Sequence, residues 1–375
     1  MSAFWSLPGP SRFIESIATE ARAGNSVWVE LPKFHPAFLS SALRAVLADD
    51  YVWKYVSMDP TVRPSEFLFT QCLSGLDPQS LRSLGNLIRH PEFCGRAIWV
   101  DGLTSDGVLS WVEFLLEYAH VTRSLRPMEQ TVLVLPAVGE VAATRPKQEA
   151  GLSIVSWDGF LDRLDMDLYA AILVGNRLTG LAKQITIAIA SEIGGGDPEL
   201  VGFLARLELE QLLSPLDILR TFATERMWET NSQRNEWWTG KVCQLDCEQV
   251  ENSALLALQG RQDEIQQLIW RAEVRTLFPV IEYYRQKYVK QYARLLTPYN
   301  DGYEVYDVPN LEIGALRWQL SRRPGIDFGD LSLINDLKNA RNALAHLRVV
   351  DPAIVMRLCV STPSTTRSMK VPHRL

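Results

Sequence analysis

Residues 96–101 have the sequence Arg96-Ala97-Ile98-Trp99-Val100-Asp101, a short apolar run that ends in an acid. A run of this length without alternating polar residues is typical of a strand buried on both faces of a sheet. Working outward from it, the composition predicts four further strands, at residues 27–31, 51–57, 131–135 and 152–157.

Helical patterns lie between these strands. In residues 11–23, for example, Phe13, Ile14, Ile17 and Ala18 recur at the spacing of a helix face. Similar patterns predict helices at residues 36–48, 78–88 and 109–121. Strands that alternate with helices favour a three-layer α/β fold, with a mainly parallel sheet between two layers of helices.

The strand pattern fades after residue 162, and the rest of the chain is predicted to be helical. Helices are expected at residues 164–190, 198–213, 215–225, 253–296, 311–322 and 331–347, the fourth kinked or divided at Pro279. The sequence thus predicts an α/β domain at 1–165, a helical connecting region at 166–230, a helical bundle at 231–352 and a disordered tail at 353–375.

Composition restricts the functions to be considered. The net charge of −6 gives no general attraction to nucleic acid, so such contact would need a local basic patch. The five cysteines are scattered, which argues against a disulfide framework. The first residues lack the pattern of a signal peptide, and no apolar run is long enough to cross a bilayer. We therefore expect a cytoplasmic protein without membrane contact.

The predicted last helix, 331–347, carries two stripes. One is apolar and packs inward; its members are Leu333, Leu337, Ala340, Leu344 and Leu347. The other is polar and consists of Asn335, Asn339, Asn342 and His346. Asparagine is a mediocre helix former, so three on one stripe suggest that this face is used.

Arg341 lies beside the polar stripe, and together with His346 it suits attack on an RNA phosphodiester. Histidine near its ordinary pKa can take or give a proton. An arginine can hold a phosphate with two hydrogen bonds and stabilise the charge that develops on it. This chemistry requires neither a metal nor a cofactor, and the sequence predicts neither.

The stretch Arg341-Asn342-Ala343-Leu344-Ala345-His346 resembles the Arg-polar-x-x-x-His signature of the HEPN superfamily, four- or five-helix bundles found in many bacterial toxin and antiviral systems. The resemblance implies a metal-independent endoribonuclease in which Arg341 and His346 act and Asn342 organises them. It also implies a homodimer in which two such helices face each other.

A structural interpretation of the same motif remains open. Arg341 could pair with an acid of another helix, such as Glu273 or Glu282. His346 could then cap the end of its own helix, where a positive charge suits the helix dipole. In that case the chain would be a non-catalytic scaffold or adaptor of a bacterial defence complex, bound to a protein encoded by a neighbouring gene.

A candidate RNA-binding surface lies upstream of the motif. Residues 261–294 contain seven Lys or Arg against four Asp or Glu, interleaved with aromatic residues. The candidate phosphate-binding residues are Arg271, Arg275, Arg285 and Lys287. The alternative is an ordinary helix with tyrosines packed inward and cations in solvent.

The N-terminal half is similar in layout to the P-loop ATPase modules found beside HEPN domains in bacterial conflict proteins. Its first strand, however, is followed by Pro32-Lys33-Phe34-His35-Pro36, without the glycines, lysine and hydroxyl that hold a nucleotide triphosphate. Asp101 occupies the place of a magnesium-orienting acid, or simply caps its strand. We expect a degenerate, P-loop-like regulatory module without ATPase activity.

Two cysteines, Cys243 and Cys247, have a Cys-x3-Cys spacing, but no second pair or nearby histidine completes a zinc site. Free thiols are the expectation there.

Overall fold

A computed structural model describes residues 3–73, 83–126, 129–230, 237–246, 248–300 and 305–362. The chain forms two compact units. The first contains residues 1–169, 196–199 and 232–252, and the second contains 170–195, 200–231 and 253–375. This division differs from the predicted boundaries, because residues 232–252 belong with the sheet and not with the helices of the C-terminal half.

The first unit contains a five-stranded sheet in the order β2-β3-β4-β1-β5. Its strands are β1 (Ser26–Leu31), β2 (Val52–Ser57), β3 (Arg96–Asp101), β4 (Val132–Val138) and β5 (Leu152–Ser156). Every neighbouring pair is parallel, and Trp28 of β1 is aligned with Leu135 of β4 and Ile154 of β5. The prediction of five strands in a parallel sheet is confirmed.

Among the described residues, five helices lie wholly in the same unit: α1 (Pro8–Arg22), α2 (Leu39–Leu47), α3 (Pro64–Cys72), α4 (Leu84–Arg89) and α5 (Val108–Thr122). Trp28, Ile98 and Leu133 join one hydrophobic core with residues of α3, α4 and α5. Because side chains alternate along a strand, Val27 and Val29 face the opposite side, where α1 contacts both β1 and α2. The sheet therefore lies between two helical layers.

Helices α3 and α4 differ from the sequence-based expectation. Helix α3 was missed, because Phe67, Leu68 and Phe69 are consecutive apolar residues and give no helical periodicity. The predicted helix at residues 78–88 falls partly outside the described residues, and α4 begins only at Leu84.

Residues 237–252 add a short segment to the sheet unit. A single 3-10 turn at Trp237–Thr239 leads into an antiparallel hairpin of β6 (Val242–Leu245) and β7 (Glu248–Glu251). The backbone N–H of Lys33, just after β1, donates to the carbonyl of Trp238 at 2.7 Å. This region was expected to begin the C-terminal bundle.

The remaining helices are α6 (Arg163–Val174), α7 (Gly180–Gly194), α8 (Pro198–Leu204), α9 (Leu209–Leu212), α10 (Leu216–Glu225), α11 (Ser253–Leu258), α12 (Gln262–Gln291), α13 (Ile313–Leu320), α14 (Phe328–Ala345) and α15 (Pro352–Ser361). Between α12 and α13, β8 (Tyr299–Asn300) pairs with β9 (Val305–Tyr306). Thus an α/β part is followed by a helical part, as the sequence predicts.

In this part of the chain the long predicted helices are interrupted at glycines and not at the proline. The span 164–190 is broken between α6 and α7, where Gly175 has a φ of 52°. The span 253–296 is divided at Gly260, with a φ of 75°, whereas α12 continues through Pro279. Helix α15 occupies residues assigned to the disordered tail, and residues 363–375 lie outside the described residues.

The side chain of Glu30 in β1 is buried in the sheet unit. Its two carboxylate oxygens accept from Nε and Nη2 of Arg145, at 2.6 and 2.7 Å. The arginine side chain is largely exposed, whereas that of Glu30 is not. The ion pair is therefore needed chiefly to compensate a carboxylate that has lost its water.

We predict that Arg145→Ala lowers the free energy of unfolding of the sheet unit by about 3 kcal/mol, because it leaves the buried charge without a partner. The control is Arg12→Ala, which removes an exposed ion pair with Asp162 and should cost less than about 1 kcal/mol. Hydrogen exchange of the β1 amides in increasing urea measures both. Equal losses of unfolding free energy in the two variants would contradict the view that Arg145 compensates the buried charge of Glu30.

Candidate active site in the helical unit

Helix α14 carries the motif, and its start and its packing face explain its position. Asp327 caps the helix by accepting from the backbone N–H of Asp330 at 3.0 Å. The predicted apolar stripe is buried at Leu333, Leu337, Ala340 and Leu344. Its last predicted member, Leu347, is instead 72% exposed, because the helix ends before it.

The end of α14 is a Schellman turn. Leu347 has a φ of 57°, the N–H of Arg348 donates to the carbonyl of Ala343, and that of Leu347 donates to Leu344. Glycine usually occupies the left-handed position, so a leucine there costs about 1 kcal/mol of backbone strain. His346 is the capping residue just before it.

Two side chains of α12, one helical turn apart, hold this end of α14. Trp270 donates its indole N–H to the carbonyl of Leu344 at 2.9 Å. Glu273 accepts the backbone N–H of Val350 at 2.8 Å. The residues between Leu344 and Val350, which include His346, are thus fixed on both sides.

Glu273 is fully buried, and its second carboxylate oxygen has no hydrogen-bond partner. Loss of hydration raises the pKa of this carboxyl group to about 8, and the hydrogen bond from Val350 offsets this only in part. At neutral pH the group is therefore mainly protonated. Glu273 does not form the alternative ion pair with Arg341, which pairs with Glu312 instead.

His346 is exposed, and no described residue makes a hydrogen bond or ion pair with its ring. Its backbone N–H donates to the carbonyls of Asn342 and Ala343. The ring thus lies at the negative end of the α14 dipole, as the structural interpretation expects, and is open to a ligand.

Arg341 is engaged. Its Nη2 atom lies 2.9 and 2.8 Å from the two carboxylate oxygens of Glu312, just before α13. The pair lies in a groove between α12, α13 and α14 that is also lined by Phe278, Ile281 and Ile313. An acid does pair with Arg341, but Glu312 was not among the candidates; Glu282 pairs with Arg285 instead.

The motif residues therefore do not converge within one chain. His346 is five positions after Arg341, which places the two about 140° apart around the axis of α14. Asn342 is half-buried, as are Asn335 and Asn339 of the polar stripe. The periodicity of the sequence indicated the buried positions Leu333, Leu337, Ala340 and Leu344, but gave no sign that a carboxylate would hold the guanidinium.

The four candidate RNA-binding residues do not form one surface. Arg285 pairs with Glu282 and donates to the carbonyls of Pro309 and Leu311, so its function is structural. Arg275 contacts Ser191, and Arg271 is exposed. Lys287 lies over the rings of Tyr284 and Tyr288, about 160° around α12 from Arg285.

The place where a P-loop would bind phosphate is occupied by packed chain. Burial lowers the pKa of His35, whose Nδ1 lies 3.1 Å from the carbonyl of Pro32. Phe34, Trp157 and Trp237 line a small cavity at this edge of the sheet. Asp101 is bonded to the hydroxyl of Tyr55 and accepts from the indole of Trp99. This carboxylate is held by its own sheet.

Cys243 lines the same cavity, and burial raises the pKa of its thiol to about 12. Cys247 lies outside the described residues. Among the residues that the structure describes, no group of three or more His, Cys, Asp or Glu side chains is placed to hold a metal ion. None of the described helices is long and apolar enough to cross a membrane.

No model of a known protein family matches the chain, and no curated protein matches it. The function proposed below rests on the residues and contacts of this chain.

Sequence reasoning missed three residues that matter for this site. Trp270 and Glu312 reach α14 from 74 and 29 residues away, and such distant contacts leave no periodic pattern. Trp318 is an exposed aromatic residue beside three arginines, and that local composition was the available indication.

We predict that Glu273→Gln makes the stability of the helical unit less dependent on pH. The folded pKa of Glu273 lies above the ordinary 4.5. Below pH 4.5 the carboxyl group of Glu273 carries its proton in both the folded and the unfolded state. Between 4.5 and 8 only the folded state keeps it, so wild-type stability falls by up to about 1.4 kcal/mol per pH unit.

Hydrogen exchange of α12 amides in urea at pH 5, 6, 7 and 8 measures this effect. The variant should gain stability relative to wild type as pH rises. In the control Glu282→Gln no such gain is expected, because Arg285 lowers the pKa of Glu282 and its contribution to stability changes chiefly below pH 4.5, outside the measured range. Parallel pH profiles for wild type and Glu273→Gln would refute the protonated carboxyl group.

Proposed function

We propose that the chain is a HEPN-type, metal-independent endoribonuclease of a bacterial antiviral or conflict system. The observation that carries the proposal is the His346 ring, exposed and without a protein partner in the described chain, on a helix end that Trp270 and Glu273 fix. A reactive imidazole needs this combination of access and rigidity.

In this proposal His346 takes the proton from an RNA 2′-hydroxyl as its oxygen attacks the adjacent phosphorus atom. The P–O5′ bond breaks, which leaves a 2′,3′-cyclic phosphate, and the departing 5′-oxygen takes a proton from water. Arg341 binds the phosphate oxygens and stabilises the added negative charge. Asn342, the residue after Arg341, organises the two catalytic side chains, as the resemblance implies. Since Arg341 and His346 diverge around α14, a complete site needs a second copy of the helix, with His346 from one protomer and Arg341 from the other.

Glu312 then restrains the enzyme. The carboxylate neutralises Arg341 and occupies the hydrogen bonds that a phosphate would take. The ion pair is partly exposed, and such pairs contribute at most about 1 kcal/mol. An RNA phosphate can therefore displace Glu312 at small cost.

The sheet unit is proposed to regulate this activity as a degenerate P-loop-like module. Its parallel sheet supports the resemblance at the level of architecture. The packed residues 32–36 and the engaged Asp101 argue against ATP hydrolysis.

His346→Ala should slow RNA cleavage in EDTA by at least about a hundredfold, because the proton acceptor is removed. Gel analysis of a labelled single-stranded RNA measures the rate. His120→Ala, which removes another exposed histidine, should cleave like wild type. Unchanged cleavage by His346→Ala would exclude the assigned role.

Glu312→Gln should raise the same cleavage rate up to about fivefold, because it frees Arg341 from an ion pair worth at most about 1 kcal/mol. Glu282→Gln removes a different acid of the same groove and should have no such effect. A slower Glu312→Gln enzyme would mean that the ion pair supports the site and does not restrain it.

The Arg341–Glu312 ion pair also favours a second function, that of a non-catalytic scaffold or adaptor in a defence complex. In that case neither wild type nor Glu312→Gln cleaves RNA, and the chain co-purifies with a protein encoded nearby. Cleavage that depends on His346 decides between the two.

A further inference from the structure

Trp318 of α13 is an exposed aromatic residue in the helical unit. Nearly half of its surface, 47%, is open to solvent. The guanidinium of Arg322 lies 3.8 Å from the centre of its ring, and the ring of Tyr299 meets it edge-on at 6.3 Å. We call Tyr299, Trp318, Arg322 and Arg323 the Trp318 platform.

The platform is held in place by a buried amide. Gln319, next to Trp318, accepts the backbone N–H of Thr297 at 2.9 Å and donates to the carbonyl of Thr297 at 2.8 Å. This double hydrogen bond fixes α13 against the chain just before Tyr299. Because Gln319 is buried, water cannot replace the two hydrogen bonds of its amide. The bonds therefore keep the rings of Trp318 and Tyr299 in their arrangement.

The segment that carries Trp318 is positively charged. Residues 313–325 include Arg317, Arg322 and Arg323 and no acid, in a chain whose net charge is −6. Within the described parts of the chain, none of the three forms an ion pair. Cations at the end of α13 also suit its dipole, but that effect does not account for an exposed tryptophan.

We propose that the Trp318 platform binds single-stranded RNA. A base stacks on the indole ring, and Arg322 and Arg323 bind the flanking phosphates. Unpaired bases are required, because the faces of bases in a duplex are already stacked. In this proposal the Trp318 platform, and not the set Arg271, Arg275, Arg285 and Lys287, is the RNA-binding surface. Only the choice of RNA over DNA as the ligand rests on the proposed ribonuclease function.

Binding is measured by fluorescence anisotropy of a labelled 12-nucleotide RNA in EDTA, with His346→Ala in every protein so that no RNA is cut. Trp318→Ala should weaken binding about tenfold, a typical loss of one base–aromatic stack. Arg322→Lys keeps the charge but loses the planar stack, so it should weaken binding less than Arg322→Ala. The double variant Arg322→Ala, Arg323→Ala should reduce the log–log salt slope by about 1.4.

Two matched controls test the location. Tyr283→Ala removes another exposed aromatic residue and Arg271→Ala another exposed arginine, both on α12, and both should bind like the parent. DNA of the same sequence tests the sugar: tighter binding of RNA indicates contact with the 2′-hydroxyl, and equal binding indicates recognition through base and phosphate alone.

The proposal is overturned if Trp318→Ala binds like the parent, if the controls lose as much, or if a blunt RNA duplex or an acidic peptide competes as well as the single strand. These outcomes are separate from the fate of the ribonuclease. RNA binding that depends on Trp318, in a chain that does not cleave RNA, would support the platform and reject the ribonuclease. RNA cleavage without binding that depends on Trp318 would support the ribonuclease and reject the platform.

Discussion

The proposed site depends on the hydrogen bonds by which two side chains of α12 fix the end of α14. Trp270 and Glu273 bind backbone groups on either side of the turn that contains His346. One of these bonds is made by a buried carboxyl group whose other oxygen is unpaired, an arrangement that costs free energy. The turn itself places a leucine in a conformation that favours glycine. The protein is thus locally less stable at the turn that positions the exposed imidazole of His346.

The helical unit presents its polar groups in two ways. Arg341 and Arg285 are tied to carboxylates or backbone carbonyls, so their charge is neutralised within the unit. The guanidinium of Arg322 lies over an aromatic ring and forms no ion pair with the residues that the structure describes, which leaves its charge available to an anion. Composition alone treats these arginines as equivalent, whereas their surroundings separate structural residues from residues able to bind.

The sequence predicts the centre of the sheet well, because β1, β3 and β4 are buried on both faces and are therefore continuous apolar runs that need no distant information. It predicts helices less well where apolar residues are consecutive, as in α3, or where glycine interrupts a long tract, as at Gly175. Within the motif, the positions of Leu333 and Leu337 follow from periodicity. The pairing of Arg341 with Glu312 does not, since it is set by how α13 packs against α14.

Pro279 lies within α12 and has no N–H to donate, so the helix lacks one hydrogen bond of its regular series at that point. The N-terminal part holds the end of α14 through Trp270, whereas the C-terminal part holds its beginning, where Tyr288 and Tyr292 donate to Asp330. The point where the regular series is one hydrogen bond short therefore lies between the two attachments of this helix, which is about 45 Å long, to the same neighbour.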